Sequence, residues 1–210
     1  EVLEEELSYV IDLGINCRFG EEITSMRDLL AEGFDAIFVG TGAPLGKHVE
    51  LPGFEEARDN IHTGIEWLAN IAFEHVSSIG KKVLVLGGGN TAMDCCRTSR
   101  RIGGEEVTVV VRSGFDEMKA SAWEIEDAMN EDIPILNFHV PKRYICEDGK
   151  LVAMEFEKVR KEYDKNGKRL LIPTGEDPVI LPCDDVLCAI GQENSLPWVE
   201  HDLGIEFDQW

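Results

Sequence analysis

The sequence predicts a three-layer α/β fold: a parallel sheet with helices packed on it, an inserted antiparallel β-meander, and part of a second α/β unit ahead of it. Three observations predict this. Residues 83–86 form a short apolar run, followed by Gly87, Gly88 and Gly89 and then by a helical stretch over 90–101. A strand covered on both faces reads as such an unbroken run. A second apolar run, 107–111, comes soon after that helix, as in a βαβ unit. From 142 to 181 the pattern changes to short strand-like runs parted by turn residues, which is how antiparallel hairpins read.

Taken in order, residues 1–14 set Val2, Leu3, Leu7, Val10, Ile11 and Leu13 at helical spacing, with Gly14 as the stop. A strand is expected over 15–19 and a second helix over 26–32, ended by Gly33. Residues 34–40, F-D-A-I-F-V-G, read as a buried strand that runs into the turn Thr41, Gly42, Ala43. Proline, glycine and little periodicity over 45–60 read as a linker. A long helix is expected over 61–79, closed by Gly80, and leads into the strand at 83. After the second strand, 121–131 is helical, with Ser121 as N-cap and Glu124 three residues on, a capping box. A strand follows over 133–140. Runs 142–146 and 151–160 turn back around Glu147, Asp148 and Gly149, and 169–181 adds another strand pair broken by a loop over 173–178. The last buried strand is 186–190, ending in Gly191 and Gln192. The domain reading is therefore 1–60 as a partial first unit with its linker, 61–192 as the main domain, and 193–210 as a return segment.

The glycine turn carries the chemistry. Gly87, Gly89 and Ala92 stand at the spacing G-x-G-x-x-A between a strand and a helix, the Rossmann-like fingerprint of a dinucleotide site. Gly87 allows the tight turn, Gly89 lets a pyrophosphate approach the backbone, and Ala92 packs close to the sheet. The N-terminus of the helix offers free N–H groups and a partial positive charge to phosphates. An acidic residue at the end of the second strand would grip the ribose 2′-OH of NAD; here Arg112 stands there, and a guanidinium suits a 2′-phosphate. Lys119 lies just beyond it, while Asp116 and Glu117 in the same turn oppose the basic patch. Arg97 and Arg101, one helical turn apart, are expected to add to the positive field. NADP is the preferred cofactor, with NAD as the alternative.

Composition narrows the partners. The chain has 210 residues, 43% of them hydrophobic, and a formal net charge of −21 at pH 7. That charge argues against nucleic acid and anionic membrane surfaces. No apolar run reaches the roughly 20 residues that span a bilayer. Six scattered cysteines without a C-x-x-C pair read as reduced thiols of a cytoplasmic protein, not as a metal or redox site. His48, His62, His75, His139 and His201 are scattered as surface or packing residues, with no His–Asp constellation and no Tyr-x-x-x-Lys pair. Hydride transfer between cofactors needs no acid, base or nucleophile of the protein, so no catalytic residue is named.

These motifs carry a resemblance. V-L-V-L-G-G-G-N-T-A-M-D at 83–94, Arg97-Thr98, E-V-T-V-V-V-R at 106–112, E-M-K-A-S at 117–121 and A-I-G-Q at 189–192 resemble the small subunit of glutamate synthase and its relatives. These are flavoproteins of the pyridine nucleotide-disulfide oxidoreductase class. R-S-G-F at 112–115 also resembles the NADPH site of dihydropyrimidine dehydrogenase, and 35–43 resembles the family's strand and A-T-G turn that lies against FAD. The resemblance implies an NAD(P)H-binding domain nested in an FAD-binding domain of which only a remnant, 1–43, is present. It implies pyrophosphate contacts at Gly87, Gly89, Asn90 and Thr91, a 2′-phosphate at Arg112 and Lys119, and the nicotinamide near Asp94 and Ala189, Ile190 and Gly191. Ser113 stands where relatives often carry a second arginine. The intact protein is then expected to pass a hydride from NAD(P)H to FAD, and electrons on to iron–sulfur centres or a partner subunit. FAD is not expected in this fragment, which alone is expected to be inactive. Two other readings are a redox-inactive Rossmann-type docking or regulatory module and a free-standing NAD(P) dehydrogenase.

Overall fold

A computed structural model describes residues 2–207; the expected helix start at Glu1 and the chain end at Trp210 lie outside the described residues. The chain divides into two compact units, residues 2–40 with 195–207, and Thr41–Asn194.

In the smaller unit, α1 (Val2–Ile11) and α2 (Met26–Ala31) form as the periodicity predicts. Ser25 caps α2 by accepting the Asp28 N–H at 3.1 Å. The return segment is tied to this cap: Met26 N–H donates to the Trp198 carbonyl at 2.9 Å, and Arg27 pairs with Asp202 at 2.7 Å. The strands expected over 15–19 and 34–40 are not formed. Both segments are apolar enough for strands, but a strand needs a neighbour to take its N–H and C=O groups, and neither pairs with another among the described residues.

The larger unit begins with β1 (Leu45–Gly46), α3 (Phe54–Ala57), β2 (Ile61–Thr63) and α4 (Gly64–Ala72). The fingerprint follows as β3 (Lys82–Leu86) and α5 (Asn90–Arg101), then β4 (Glu106–Val110), α6 (Ala122–Asn130) and β5 (Ile135–Leu136). The meander is β6 (His139–Glu147), β7 (Lys150–Tyr163), β8 (Arg169–Pro173) and β9 (Val179–Pro182); β10 (Asp185–Cys188) and β11 (Gln192–Glu193) close the unit. The five-stranded sheet runs β2-β10-β3-β4-β5 and is parallel throughout.

Alternation along its strands builds two cores. Val83, Val85, Val107, Val109 and Leu187 face Trp67, Ala92, Met93, Cys95, Cys96 and Ala128 of the helices. Leu84, Leu86, Val110, Val186 and Cys188 face Tyr144, Leu151, Met154 and Phe156 of the meander. The inserted β-meander is thus the third layer, covering the sheet face that lacks these helices. Its hairpin turns at Asp148 and Gly149, with φ of 50° and 73°, the left-handed pair that a two-residue turn demands.

Three local expectations are corrected. Residues 61–79 are not one helix: Ile61–Thr63 pair with β10, and α4 ends at Ala72. Residues 45–60 are not a loose linker. Tyr144 donates its N–H to the Pro52 carbonyl and its hydroxyl to the Val49 carbonyl, each at 2.9 Å, and Ala57 is fully buried. Ser121 caps α6 in position only, without a side-chain bond; its N–H goes to Asn90 Oδ1 at 2.8 Å, and Glu124 pairs instead with Arg97 at 3.1 Å.

Candidate dinucleotide site

The carboxyl ends of β10, β3 and β4 lie side by side in that order. β3 is continued on one side by β4 and flanked on the other by β10, so the chain reverses strand order at its end; ligands of open α/β sheets bind at such points. The three ends are stitched together: Gly87 N–H donates to the Val110 carbonyl at 3.1 Å, and Ala189 N–H to the Leu86 carbonyl at 2.8 Å. Gly87 has φ +139°, and a Cβ there would run into the Ala189 carbonyl. Gly88 is pressed against Val111 and Met118, whereas a Cβ on Gly89 would meet no atom within 4 Å. The middle of the turn is packed against protein, and its exit faces open space.

Gly89 is the N-cap of α5 and offers no side-chain cap. The N–H groups of Gly89, Asn90 and Thr91 take no protein acceptor among the described residues. They form a set of donors without acceptors at the positive end of a 12-residue helix. The Asn90 carboxamide oxygen is already engaged, accepting the Ser121 N–H at 2.8 Å. Asp94, one turn on, is exposed. Partial desolvation by its neighbours pushes its carboxyl upward, Glu124 adds to that, and Arg97 opposes it.

Arg112 follows β4 and is exposed; Lys119 is exposed at the end of the same loop. The loop is held to the glycine turn by Lys119 and Ala120, whose N–H groups both donate to the Gly88 carbonyl, at 2.9 and 3.0 Å. Asn137 anchors its other limb by donating to the Ser113 carbonyl at 2.8 Å. Neither Arg112 nor Lys119 has an ion-pair or hydrogen-bond partner for its side chain among the described residues. Most cations of this chain are paired with its abundant carboxylates, so two free ones beside the turn stand out.

Arg97 and Arg101 do not add to that field. Arg97 is held by Glu124 at 3.1 Å, Asp127 at 3.1 Å and Glu131 at 2.8 Å, and Arg101 by Glu131 at 2.8 Å. Their charge is spent joining α5 to α6. On the other side of β3, Ala189, Ile190 and Gly191 turn away from β10, Gly191 with φ +131° and its carbonyl accepting Lys47 N–H at 3.1 Å. The sheet therefore brings Gly87, Gly89, Asn90, Thr91, Arg112, Lys119, Ala189, Ile190 and Gly191 to one edge.

Sequence reading missed two features. His62 Nε2 lies 3.1 Å from Asp185 Oδ1, a His–Asp pair where none was expected. Both line a cleft of about 550 Å³ with Trp67, Asn70 and Ile79. Asp185 begins β10, so this cleft is at the amino end of that strand, away from the glycine turn. The partners stand 123 residues apart, beyond any local signal. The second omission is that Asp116 and Glu117 are themselves ion-paired, by Lys161 and Arg169.

The family described as pyridine nucleotide-disulphide oxidoreductase matches residues 11–210. Among curated relatives, the NADPH-Fe(3+) oxidoreductase subunit beta of Geobacter sulfurreducens is 31% identical over 100% of this chain and 32% of its own length. The glutamate synthase [NADPH] small chain of Halomonas elongata is 34% identical over 99% of this chain and 46% of its own. The chain thus spans less than half the length of each of these two relatives. Among solved structures, FprA from Mycobacterium tuberculosis aligns with a TM-score of 0.68 at 18% identity, over 86% of this chain and 54% of that one, a likeness of fold.

Proposed function

The chain belongs to the pyridine nucleotide-disulphide oxidoreductase family, and from that premise we propose that its larger unit is the NADPH-binding portion of an FAD-dependent oxidoreductase. The observation that carries the reading is the pair of unpaired cations, Arg112 and Lys119, beside a helix N-terminus whose first N–H groups have no acceptor. The residues present fit a dinucleotide. Gly89 leaves open the space that a pyrophosphate would fill, and the free N–H groups would donate to its oxygens. Arg112 and Lys119, on the β4 side, would hold the adenosine 2′-phosphate; a guanidinium binds phosphate through two N–H groups. Ala189, Ile190 and Gly191, on the β10 side, would border the nicotinamide, with Asp94 along α5. On this reading the order of the strands would set the direction in which the cofactor lies.

A bound reduced nicotinamide would supply the hydride that FAD accepts in the intact protein, for onward transfer of electrons to iron–sulfur centres or a partner subunit. The protein's own part is position and charge. The smaller unit and the turn Thr41, Gly42, Ala43 are read as the part of the FAD domain carried by this chain. The relatives' names support a partner, since both are subunits or chains of larger enzymes. No helix among the described residues is long and apolar enough to cross a membrane.

Titration calorimetry with NADPH and NADH tests the reading. NADPH is expected to bind more tightly, and Arg112→Ala to cost roughly 1.5–3 kcal/mol of NADPH affinity, the size of a charged hydrogen bond, with little effect on NADH. Equal affinity for both cofactors, untouched by the substitution, would remove the 2′-phosphate assignment.

A further inference from the structure

The loop that carries Arg112 and Lys119 also carries Asp116 and Glu117. Taken alone it holds two positive and two negative charges and would be a neutral host for a 2′-phosphate. In the folded unit it is not alone. Lys161 Nζ lies 2.9 Å from Asp116 Oδ2 and 3.7 Å from Glu117 Oε1, and Arg169 Nη1 lies 3.0 Å from Glu117 Oε2. The Lys161 and Glu117 side chains are about four-fifths buried, 22% and 21% exposed. With both hairpin cations included, the cluster carries two net positive charges, in a chain whose formal net charge is −21.

The hairpin reaches this loop with a part that the sheet does not need. β7 covers the core with Ala153, Met154 and Phe156, which pair with β9. Its far end, Val159 to Tyr163, pairs with β8 alone, which sets Lys161 opposite Leu171 and Arg169 of β8 opposite Tyr163. Apart from a pair between Arg160 and Glu162 and the Lys161 ammonium over the Tyr163 ring at 6.0 Å, both internal to the extension, its charges Lys161 and Arg169 contact the loop.

We propose that the β7–β8 extension sets the cofactor selectivity of this chain: Lys161 and Arg169 neutralise Asp116 and Glu117, leaving Arg112 and Lys119 free to hold a 2′-phosphate. The proposal rests on the dinucleotide reading above. Lys161 and Arg169 are positioning residues, acting on the cofactor through the loop's field and not by contact. The ion pairs also fix the loop between the anchors at Ser113 and Gly88, so the cations that face the phosphate start from a held backbone.

The test is the ratio of NADPH to NADH affinity, by calorimetry on the full chain, in wild type and in Lys161→Gln/Arg169→Gln. A ratio reads only the folded molecules, so partial loss of fold does not mimic the effect. It is expected to fall roughly 3- to 10-fold at low salt, and the fall to shrink in about 0.5 M salt as screening grows. Adding Asp116→Asn and Glu117→Gln to the double variant is expected to bring the ratio back to within about twofold of wild type, and Lys161→Arg to leave it unchanged. An unchanged ratio in the double variant, with wild type still preferring NADPH through Arg112, overturns the proposal and leaves the dinucleotide reading standing. So does a fall that the added amide substitutions fail to restore, since the hairpin would then act through loop shape alone. Wild type binding both cofactors alike overturns the parent reading and this proposal with it.

Discussion

Gly87 and Gly89 stand two residues apart, yet the same substitution should affect them in opposite ways. An alanine at 87 must adopt φ +139° and drive its methyl into the Ala189 carbonyl, so Gly87→Ala is expected to destabilise by about 2–4 kcal/mol. An alanine at 89 meets nothing, and its backbone is extended, with φ −103° and ψ 176°. Gly89→Ala should cost under about 1 kcal/mol, the scale of an N-cap exchange, while weakening NADPH binding at least about tenfold by filling the phosphate's space. Thermal melts and calorimetry on the two variants separate the roles. Equal stability losses would show that Gly89 is kept for the fold. Spacing alone marks Gly87 as the residue that turns the chain, which its φ of +139° bears out, and marks Gly89 as the one that clears room, which those measurements test. It could not show that the Asn90 side-chain oxygen accepts the Ser121 N–H, because that bond joins residues 31 apart.

Among the elements, β3, α5 and β4 were legible almost to the residue because local pattern and tertiary role agree there: apolar runs, then a helix with small residues on its packed face. β2 was not. Three residues, Ile61–Thr63, become a strand only because β10 pairs with them, and by periodicity they continue the helix behind them. The converse failure is 34–40, whose apolar run lacks a partner strand, and where Phe38 is 95% exposed. The β2–β10 edge also carries a pH-dependent prediction. Asp185 is desolvated by burial, which raises its carboxyl, but His62, the Gly80 N–H and Asn60 together hold it below the usual range. A depressed carboxyl stabilises the fold above its unfolded value, and that contribution disappears as pH falls through the folded value. Asp185→Asn is therefore expected to cost about 1–3 kcal/mol near pH 7, the price of leaving buried donors unmatched. The gap from wild type should narrow below about pH 4. Denaturant melts across pH 3–7 would read it; a gap that stays constant would mean the ionised carboxylate is not what matters.

For the whole molecule, the two units present different surfaces. In the smaller one Phe38 is 95% exposed, Phe19 84%, Tyr9 72% and Val2 71%, more apolar surface than a free-standing soluble unit usually shows. The chain alone is expected to enhance the fluorescence of an apolar dye such as ANS, and Phe19→Ser/Phe38→Ser to reduce that enhancement by about half or more. Dye fluorescence no greater than that of a compact control protein would argue that this surface is not available. The larger unit has its own dependence, which lies in time. Strand β10, which lies between β2 and β3 in the sheet, is nearly the last part of the unit in sequence, separated from β3 by the whole meander, and the Ala189 carbonyl against Gly87 comes with it. While the chain is being synthesised, β2 and β3 have no neighbour between them until the meander has left the ribosome, and the crevice has only one wall. The pairings that complete it are long-range ones, which form slowly. A nascent chain stalled before residue 185 would hold the whole fingerprint and still lack the switch point that makes it a site.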